Sequence, residues 1–265
     1  MIKKIIFFTS MLLLSENLYA AELNVAVASN FKHTLDELAD DFKVKTGHEL
    51  KISSASSGKL FSQLMHGAPY DVFMSADEKF VDLLIAKEMS SADSATIYAL
   101  GKLVLISNIA AGNANKPDCE KVLSSPHLNR LAIANPKIAP YGLAARQVLD
   151  KLALWQTLQT RIVMGENVQQ VFQFVSTKNA DAAFVAESIY KLARLRAGEE
   201  SPQFCVWDIP NDFYTPIRQK MTVLNNAKNK NLAHAFVQFI KSAHAREVIL
   251  NAGYDVLLDD KTTRN

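Results

Sequence analysis

The chain has 265 residues, of which 49% are hydrophobic and 21% are charged. This composition is typical of a globular protein with one large domain or two of ordinary size, and it excludes a disordered or collagen-like chain. Because 29 Lys and Arg residues nearly balance 27 Asp and Glu residues, no general attraction to nucleic acid or to an anionic membrane is expected. An anionic partner would therefore have to be held by local hydrogen-bond donors.

The first residues have the pattern of a secretory signal peptide. Lys3 and Lys4 precede an apolar stretch, and the small residues Ala20 and Ala21 end it. Polar residues interrupt this stretch, so it is too short and too polar to span a membrane. We therefore expect residues 1–20 to be removed on export, which leaves a soluble protein in the periplasm.

Two cysteines, Cys119 and Cys205, remain in the expected mature chain. An even number of cysteines in an oxidising compartment favours one disulfide. The alternative is two separate buried thiols that pack as small apolar side chains. The chain has no C-x-x-C motif, so thiol redox catalysis has little support.

Short strands alternate with amphipathic helices along the chain. In the first part, strands are predicted at residues 23–28, 49–52, 71–74 and 103–106, and helices at 31–42, 60–65 and 80–84. After a polar stretch at 113–117, strands are predicted at 131–134, 161–164, 183–185 and 219–224, and helices at 143–152, 168–175, 189–195 and 232–240. The alternation predicts an α/β fold with parallel sheets flanked by helices, and the interruption predicts two lobes.

The sequence carries few signs of enzyme chemistry. The positions of its 9 glycines allow neither a G-x-G-x-x-G motif nor a P-loop, and its 6 histidines form no H-x-x-x-H pair. No serine lies in a G-x-S-x-G motif. A Ser–His–Asp grouping assembled from distant parts of the chain stays open, because sequence order does not forbid it.

Small and polar residues occupy four junctions between a strand and the following helix. These junctions are Ser29-Asn30, Ser56-Ser57-Gly58, residues 136–142 and residues 165–168. In α/β sheets such junctions lie at the carboxyl edge, where ligands bind, and the start of a helix exposes unpaired N–H groups and the positive end of its dipole. Four of them could surround a tetrahedral anion without a charged partner. Each junction taken alone is also explained by ordinary helix capping.

The chain resembles the periplasmic molybdate-binding proteins of ABC importers, the ModA family. The matching segments are residues 27–31, 56–60, 67–77, 98–105, 134–136, 141–144, 165–170 and 253–255. Together they extend over essentially all of the expected mature chain, and the G-A-P-x-D-x-F-x-S-A-D pattern at 67–77 (with Tyr70 at its first variable position) is fairly specific. The resemblance implies a two-lobe periplasmic-binding-protein fold of type II, in which each lobe is a mixed, mostly parallel sheet flanked by helices.

The resemblance also implies lobe boundaries and a ligand set. Lobe one would comprise residues 21–104 and 217–265, and lobe two residues 105–216. The oxyanion contacts of the family fall on the Ser29 hydroxyl, the Asn30 amide, the Ser57 hydroxyl and amide, and the Tyr141 and Val168 amides. These residues would hold molybdate or tungstate as an oxyanion, with no direct metal ligand, no catalytic residue and no cofactor.

One position departs from part of the family. Some members place a tyrosine hydroxyl on the anion from a strand-to-helix corner of lobe two, whereas this chain has Ala186 there. The chain therefore resembles the branch of the family that lacks this contact.

The resemblance implies a monomeric receptor that delivers its oxyanion to a membrane permease, without a nucleic-acid partner. A lining made only of donors favours a fully deprotonated dianion, because an anion that keeps a proton would need an acceptor for it. Two alternatives remain open. One is a receptor for sulfate or another tetrahedral oxyanion, and the other is an exported hydrolase that uses Ser57 as its nucleophile.

Overall fold

The protein is described by a computed structural model that covers residues 21–109, 112–113, 116–198 and 204–257. The predicted signal peptide at residues 1–20 lies outside the described residues. None of the helices in the described ranges is both long enough and apolar enough to cross a membrane.

Strands and helices alternate along the described chain, with short 3₁₀ turns between some of them. The first part contains β1 (Glu22–Ala28), α1 (Lys32–Thr46), β2 (Glu49–Ala55), α2 (Ser57–Met65), β3 (Val72–Met74), α3 (Lys79–Ala86) and β4 (Thr96–Gly101). The middle part contains β5 (Leu103–Ser107), β6 (Gly112–Asn113), β7 (Lys116–Pro117), β8 (Leu131–Ala134), α4 (Pro140–Lys151), α5 (Trp155–Leu158), β9 (Ile162–Gly165), α6 (Val168–Ser176), β10 (Ala182–Ala186), α7 (Glu187–Ala197) and β11 (Cys205–Asp208). The last part contains β12 (Ile217–Val223), α8 (Lys230–Ile240) and α9 (Ala243–Asn251).

The strands form two five-stranded mixed sheets, which define the two lobes. In the first sheet the order is β2-β1-β3-β12-β4, with β1 parallel to both neighbours and β12 antiparallel to both of its own. In the second sheet the order is β11-β5-β10-β8-β9, with β8 parallel to both neighbours and β5 antiparallel to both of its own. The short strands β6 and β7 pair with each other.

The chain passes between the sheets at two points. It first crosses at Lys102, between β4 and β5, and it returns between β11 and β12. The resemblance implies a first boundary after Val104, whereas Leu103 and Val104 pair with β10 and so belong to the second sheet. The second boundary implied by the resemblance, before residue 217, coincides with the start of β12 at Ile217.

Helices cover both faces of the first sheet, and their apolar spacing explains why they form. Phe31, Leu35, Leu38 and Phe42 recur every three or four residues along α1, and all are fully buried against β1 and the helices α8 and α9. Each such side chain contributes about 1.5–3 kcal/mol of burial free energy. The helix ends where Gly47 adopts a left-handed conformation, with φ 74°, as the sequence predicts.

Cys119 and Cys205 are joined in a disulfide, with 5.5 Å between their Cα atoms. The bond joins the segment before β8 to the edge strand β11, across 86 residues of sequence. Cys205 pairs with Ser107 on β5, and Ser107 faces Ala182, the first residue of β10. The disulfide therefore lies at the end of the second sheet opposite the carboxyl end of β10.

Candidate functional site

A small cavity lies where the two lobes meet, and we call it the interlobe cavity. Lobe one lines it with Ala28, Ser29, Asn30, Ser56, Ser57 and Ala76, and lobe two with Ala139, Pro140, Tyr141 and Val168. All five residues that the resemblance assigns to the oxyanion are in this lining. Among the described residues, no Lys, Arg, His, Asp or Glu side chain lines it.

Ser29 and Asn30 follow β1 in a tight turn. The Ser29 N–H donates to the Ala55 carbonyl over 3.0 Å, and the Phe31 N–H donates to the Ala28 carbonyl over 2.9 Å. This turn holds Ser29 at the carboxyl end of the central strand. The Ser29 hydroxyl has no protein partner among the described residues, so it is free to bind a ligand.

Ser57 is the first residue of α2 and is fully buried. Its Oγ accepts a hydrogen bond from the Ala76 N–H over 2.9 Å, which fixes the side chain and leaves the hydroxyl proton free to donate. The first hydrogen bond along the helix runs from the Leu60 N–H to the Ser56 carbonyl. The N–H of Ser57 therefore has no acceptor within the helix.

Lobe two contributes two further helix N-termini. In α4, Pro140 occupies the first position and has no N–H, so the Tyr141 amide is the first donor that the helix offers. In α6, the cap residue Asn167 accepts from the Gln170 N–H over 3.0 Å, while the amide of Val168 at the first position stays outside this cap. Tyr141 and Val168 thus line the cavity, and the backbone N–H of each has no acceptor within its own helix.

A glycine allows α4 to start this close to the sheet. A Cβ atom on Gly142 would lie 2.1 Å from the Ala134 carbonyl oxygen at the end of β8. This contact involves backbone, so a side chain there could be accommodated only by moving the helix. The position of the Tyr141 amide in the cavity therefore depends on Gly142.

The N-termini of α2, α4 and α6 converge on the interlobe cavity. Each helix N-terminus carries roughly half a positive elementary charge from the aligned peptide dipoles. Their convergence makes the cavity favourable for an anion although its side chains are neutral. At its rim, Lys59 of α2 forms an ion pair with Glu166, and both side chains are about half exposed. The charge of Lys59 is thus largely balanced by a residue of the other lobe.

Two acidic residues of the 67–77 segment have structural roles. Asp71 is buried and accepts from the Asn24 N–H over 2.8 Å and the Lys228 N–H over 2.7 Å. Asp77 accepts from the Phe80 N–H over 3.3 Å at the start of α3. Burial raises the pKa of Asp77, because it disfavours the charged form of this carboxyl.

The side chain of Asn30 belongs to a buried polar network and is engaged there. Its Nδ2 donates to Gln219 Oε1 over 2.8 Å and to the Tyr254 hydroxyl over 3.2 Å, and that hydroxyl donates to the Asn30 carbonyl over 2.8 Å. The main-chain amide is therefore the group of Asn30 left for a ligand. Ser188 of lobe two donates to the Tyr254 hydroxyl over 2.9 Å, so the network joins the lobes.

The network also reaches Tyr141, whose hydroxyl accepts from Gln219 Nε2 over 3.5 Å. Burial raises the pKa of Tyr141 well above its ordinary value and raises that of Tyr254 as well, so both hydroxyls stay protonated. Gln219 is not among the site residues expected from the sequence, and Tyr254 enters there only as part of a matching family segment. Gln219 stands at the start of a predicted strand, and only the structure shows that it is fully buried.

Ala186 ends β10 and is fully buried. It is not among the residues that line the interlobe cavity, and it has no hydroxyl to offer. Within the described ranges, no group of three or more His, Cys, Asp and Glu side chains is placed to hold a metal ion. The donors that the site offers are hydroxyls and main-chain amides.

Two lobes around a donor-lined cavity define a solute-binding protein. Residues 23–255 match the model of the bacterial extracellular solute-binding protein family. The chain is 40% identical over 236 residues to the molybdate-binding protein ModA of Azotobacter vinelandii, which covers 89% of this chain and 90% of that protein. It is 36% identical to ModA of Rhodobacter capsulatus, over 89% of this chain and 88% of that protein. The chain belongs to the ModA family of bacterial extracellular solute-binding proteins.

The fold agrees with this assignment. The solved structure of the Azotobacter vinelandii periplasmic molybdate-binding protein superimposes with a TM-score of 0.80 at 38% identity, and the match covers 89% of this chain and all of that one. This match confirms the predicted periplasmic-binding-protein fold. The sulfate-binding protein SubI of Mycobacterium tuberculosis shares the fold with a TM-score of 0.74, at 15% identity over 88% of this chain and 86% of that one.

Proposed function

We propose that this protein is a periplasmic receptor that binds molybdate, and also tungstate, and delivers the oxyanion to the permease of an ABC importer. The observation that carries the proposal is the convergence of the Ser29, Asn30, Ser57, Tyr141 and Val168 donors from both lobes on one uncharged cavity. Membership of the ModA family supports the choice of ligand. The oxyanion is cargo, and the proposed function needs no other cofactor.

The donor set is strong enough for tight binding. Two hydroxyls and four amides offer about six hydrogen bonds to an ionised acceptor, and at about 1.5–3 kcal/mol each they give roughly 9–18 kcal/mol before costs. Desolvation of the dianion and closure of the lobes reduce this gain. A net free energy of about −8 to −12 kcal/mol corresponds to dissociation constants between about a micromolar and a nanomolar.

The chemistry of the lining favours a bare dianion. Amides donate and do not accept at their N–H, and the Ser57 hydroxyl already accepts from Ala76. A protonated phosphate would need an acceptor for its own O–H. Among the described side chains of the lining only serine hydroxyls could accept it, and no carboxylate is present to accept it as strongly. Molybdate, tungstate and sulfate carry no such proton at neutral pH, so among these three the size of the closed cavity decides.

A hydrolase that uses Ser57 as its nucleophile has no support in the geometry. A serine nucleophile needs a base within hydrogen-bond reach, which is in turn oriented by a third group. Ser57 Oγ is paired with a main-chain amide, and among the described residues neither a histidine nor an acid lines the cavity with it. We therefore propose a binding role without catalysis.

Ligand binding and lobe closure are coupled in this proposal. Both lobes supply donors, so an oxyanion that contacts all of them binds the closed arrangement better than an open one. The two chain crossings at Lys102 and before Ile217 provide the hinge. The permease would then recognise the relative position of the lobes in a monomeric receptor, and would receive the oxyanion when they open.

Calorimetric titration of the protein without residues 1–20 tests the proposal. We expect molybdate and tungstate to bind with submicromolar dissociation constants, and sulfate and phosphate to bind at least 100-fold more weakly. Ser29→Ala should weaken molybdate binding by about 10- to 100-fold, since it removes one hydrogen bond to a charged acceptor. Ser62→Ala, at an exposed position of α2, is the matched control and should bind like the wild type.

Two results would contradict the proposal. Equal affinities for sulfate and molybdate would favour the general oxyanion receptor. Absence of molybdate binding, together with turnover of an ester that Ser57→Ala abolishes, would favour the hydrolase.

A further inference from the structure

Ser56, the residue before Ser57, carries a buried hydroxyl that the described protein does not satisfy. The residue is 3% exposed, and its Oγ has no hydrogen-bond partner. A buried hydroxyl without a partner costs free energy, and native structures keep very few. The hydroxyl of Ser56 therefore needs an explanation other than packing.

Ser56 also lacks the hydrogen bond that its position at the start of α2 would normally give it. Ser56 is the cap residue of α2, in an extended conformation with φ −65° and ψ 149°, where a serine side chain usually accepts from an N–H of the first turn. Here it makes no such bond. The caps of α6 and α9, Asn167 and Ser242, do accept from their helices in the usual way. The hydroxyl of Ser56 is thus uncommitted although helix geometry offers it a partner.

Ser56 also lines the interlobe cavity, beside Ser29 and Ser57. Ala28, Ala76, Ala139 and Pro140, which share this lining, contribute apolar side chains. A ligand with oxygen atoms on all sides would bring an acceptor to the free hydroxyl. A hydroxyl proton can rotate toward such an acceptor without a change in the backbone.

We propose that Ser56 donates a third hydroxyl hydrogen bond to the bound oxyanion, beside those of Ser29 and Ser57. This inference rests on the proposed function, and it names a ligand-binding residue that the resemblance does not assign.

A second buried hydroxyl provides a matched control. Ser90 is 4% exposed and its Oγ also has no partner, but Ser90 lies at a bridge to Leu224 and does not line the cavity. The two serines therefore share burial and lack of a partner, and they differ in access to the cavity. Any general effect of removing an unsatisfied hydroxyl should appear in both variants.

The test compares Ser56→Ala, Ser90→Ala and Ser29→Ala with the wild type, by thermal unfolding without ligand and by calorimetric titration with sodium molybdate. We expect Ser56→Ala to weaken molybdate binding by about 10- to 100-fold while its ligand-free Tm is unchanged or raised, because the unsatisfied hydroxyl is removed. Ser90→Ala should show the same Tm behaviour and bind molybdate within twofold of the wild type.

Two outcomes overturn the inference. If Ser56→Ala binds molybdate within twofold of the wild type while Ser29→Ala is impaired, Ser56 is not a ligand residue and the proposed function stands. If the Tm of ligand-free Ser56→Ala falls by several degrees, the hydroxyl has a structural partner and the affinity loss has another cause. Failure of the wild type to bind molybdate would instead reject the proposed function itself.

Discussion

Gly58 of lobe one contacts the backbone of lobe two near the cavity, and Gly58→Ala should prevent full closure. The Gly58 N–H donates to the Ile138 carbonyl of the other lobe over 2.8 Å. A Cβ atom on Gly58 would lie 2.9 Å from the Cα and Cβ atoms of Ile138 and 3.0 Å from Cζ of Phe80. Such distances require the backbone of one lobe to move away from the other.

The cost falls mainly on the closed arrangement. Overpacking costs about 1–3 kcal/mol, and the loss of one interlobe hydrogen bond costs about 0.5–1.5 kcal/mol. Their sum, about 1.5–4.5 kcal/mol, corresponds to an affinity for molybdate that is about 10- to 2,000-fold weaker. Alanine also has the better helix propensity, by about 0.5–1 kcal/mol, which offsets the close contact with Phe80 of the same lobe, so the ligand-free protein should lose little stability.

Calorimetry with molybdate, thermal unfolding and small-angle X-ray scattering together check this prediction. We expect weak binding, an unchanged ligand-free Tm, and a radius of gyration that decreases less on ligand addition than in the wild type. Ser62→Ala, on the exposed face of the same helix, controls for the change in propensity. Binding within threefold of the wild type would show that the lobes need not approach this closely, and would refute the reasoning.

Three further substitutions test other parts of the site. Lys59→Gln or Glu166→Gln should change molybdate affinity less than about fivefold, because a half-exposed ion pair contributes about 0.2–1 kcal/mol; a 100-fold change in a titration would contradict this. Gly142→Ala should lower both the Tm and the affinity for molybdate, because its Cβ would overlap the backbone of β8. We expect a cost of about 2 kcal/mol or more, measured by thermal unfolding and calorimetric titration. Replacing Cys119 and Cys205 by serine should lower the free energy of unfolding, measured with urea, by at most about 4–5 kcal/mol, because the disulfide closes a loop of 86 residues. The affinity for molybdate should stay within twofold of the wild type.

The sequence predicts those parts of the fold that depend on local patterns. The apolar spacing of α1 and its end at Gly47 can be read directly, because helix periodicity and a left-handed glycine are properties of neighbouring residues. The junction residues around Ser29 and Ser57 are also local signals. Their convergence on one cavity follows from the rule that helices begin at the carboxyl edge of the strands before them.

Features that depend on distant pairing are not found in this way. No strand is predicted from the sequence at the edge strands β4 and β11. The hydrogen bond between Asn30 and Tyr254 joins residues 224 positions apart, and Gln219 connects the same network from a third part of the chain. No local spacing reports such contacts, because they arise only when the first sheet is assembled.

The free hydroxyl of Ser56 has the same origin. In the sequence it is an ordinary cap residue, and only the structure shows that it makes no cap and lines a cavity. The site residues that were predicted without the family are thus the donors at helix starts. The assignment of each donor to the anion came from the resemblance.

The neutral site also explains how the receptor could release what it binds. Three helix N-termini face each other across the cavity, and without an anion their positive ends repel. The closed arrangement is opposed by this repulsion and is favoured by contacts between the lobes. These include the Gly58 amide with the Ile138 carbonyl, the rim pair of Lys59 and Glu166, and the hydrogen bond of Ser188 with Tyr254. An oxyanion removes the repulsion, so closure depends on the cargo. A permease that separates the lobes would weaken every donor contact from one side at once, and the oxyanion would leave without any change in protonation of the lining.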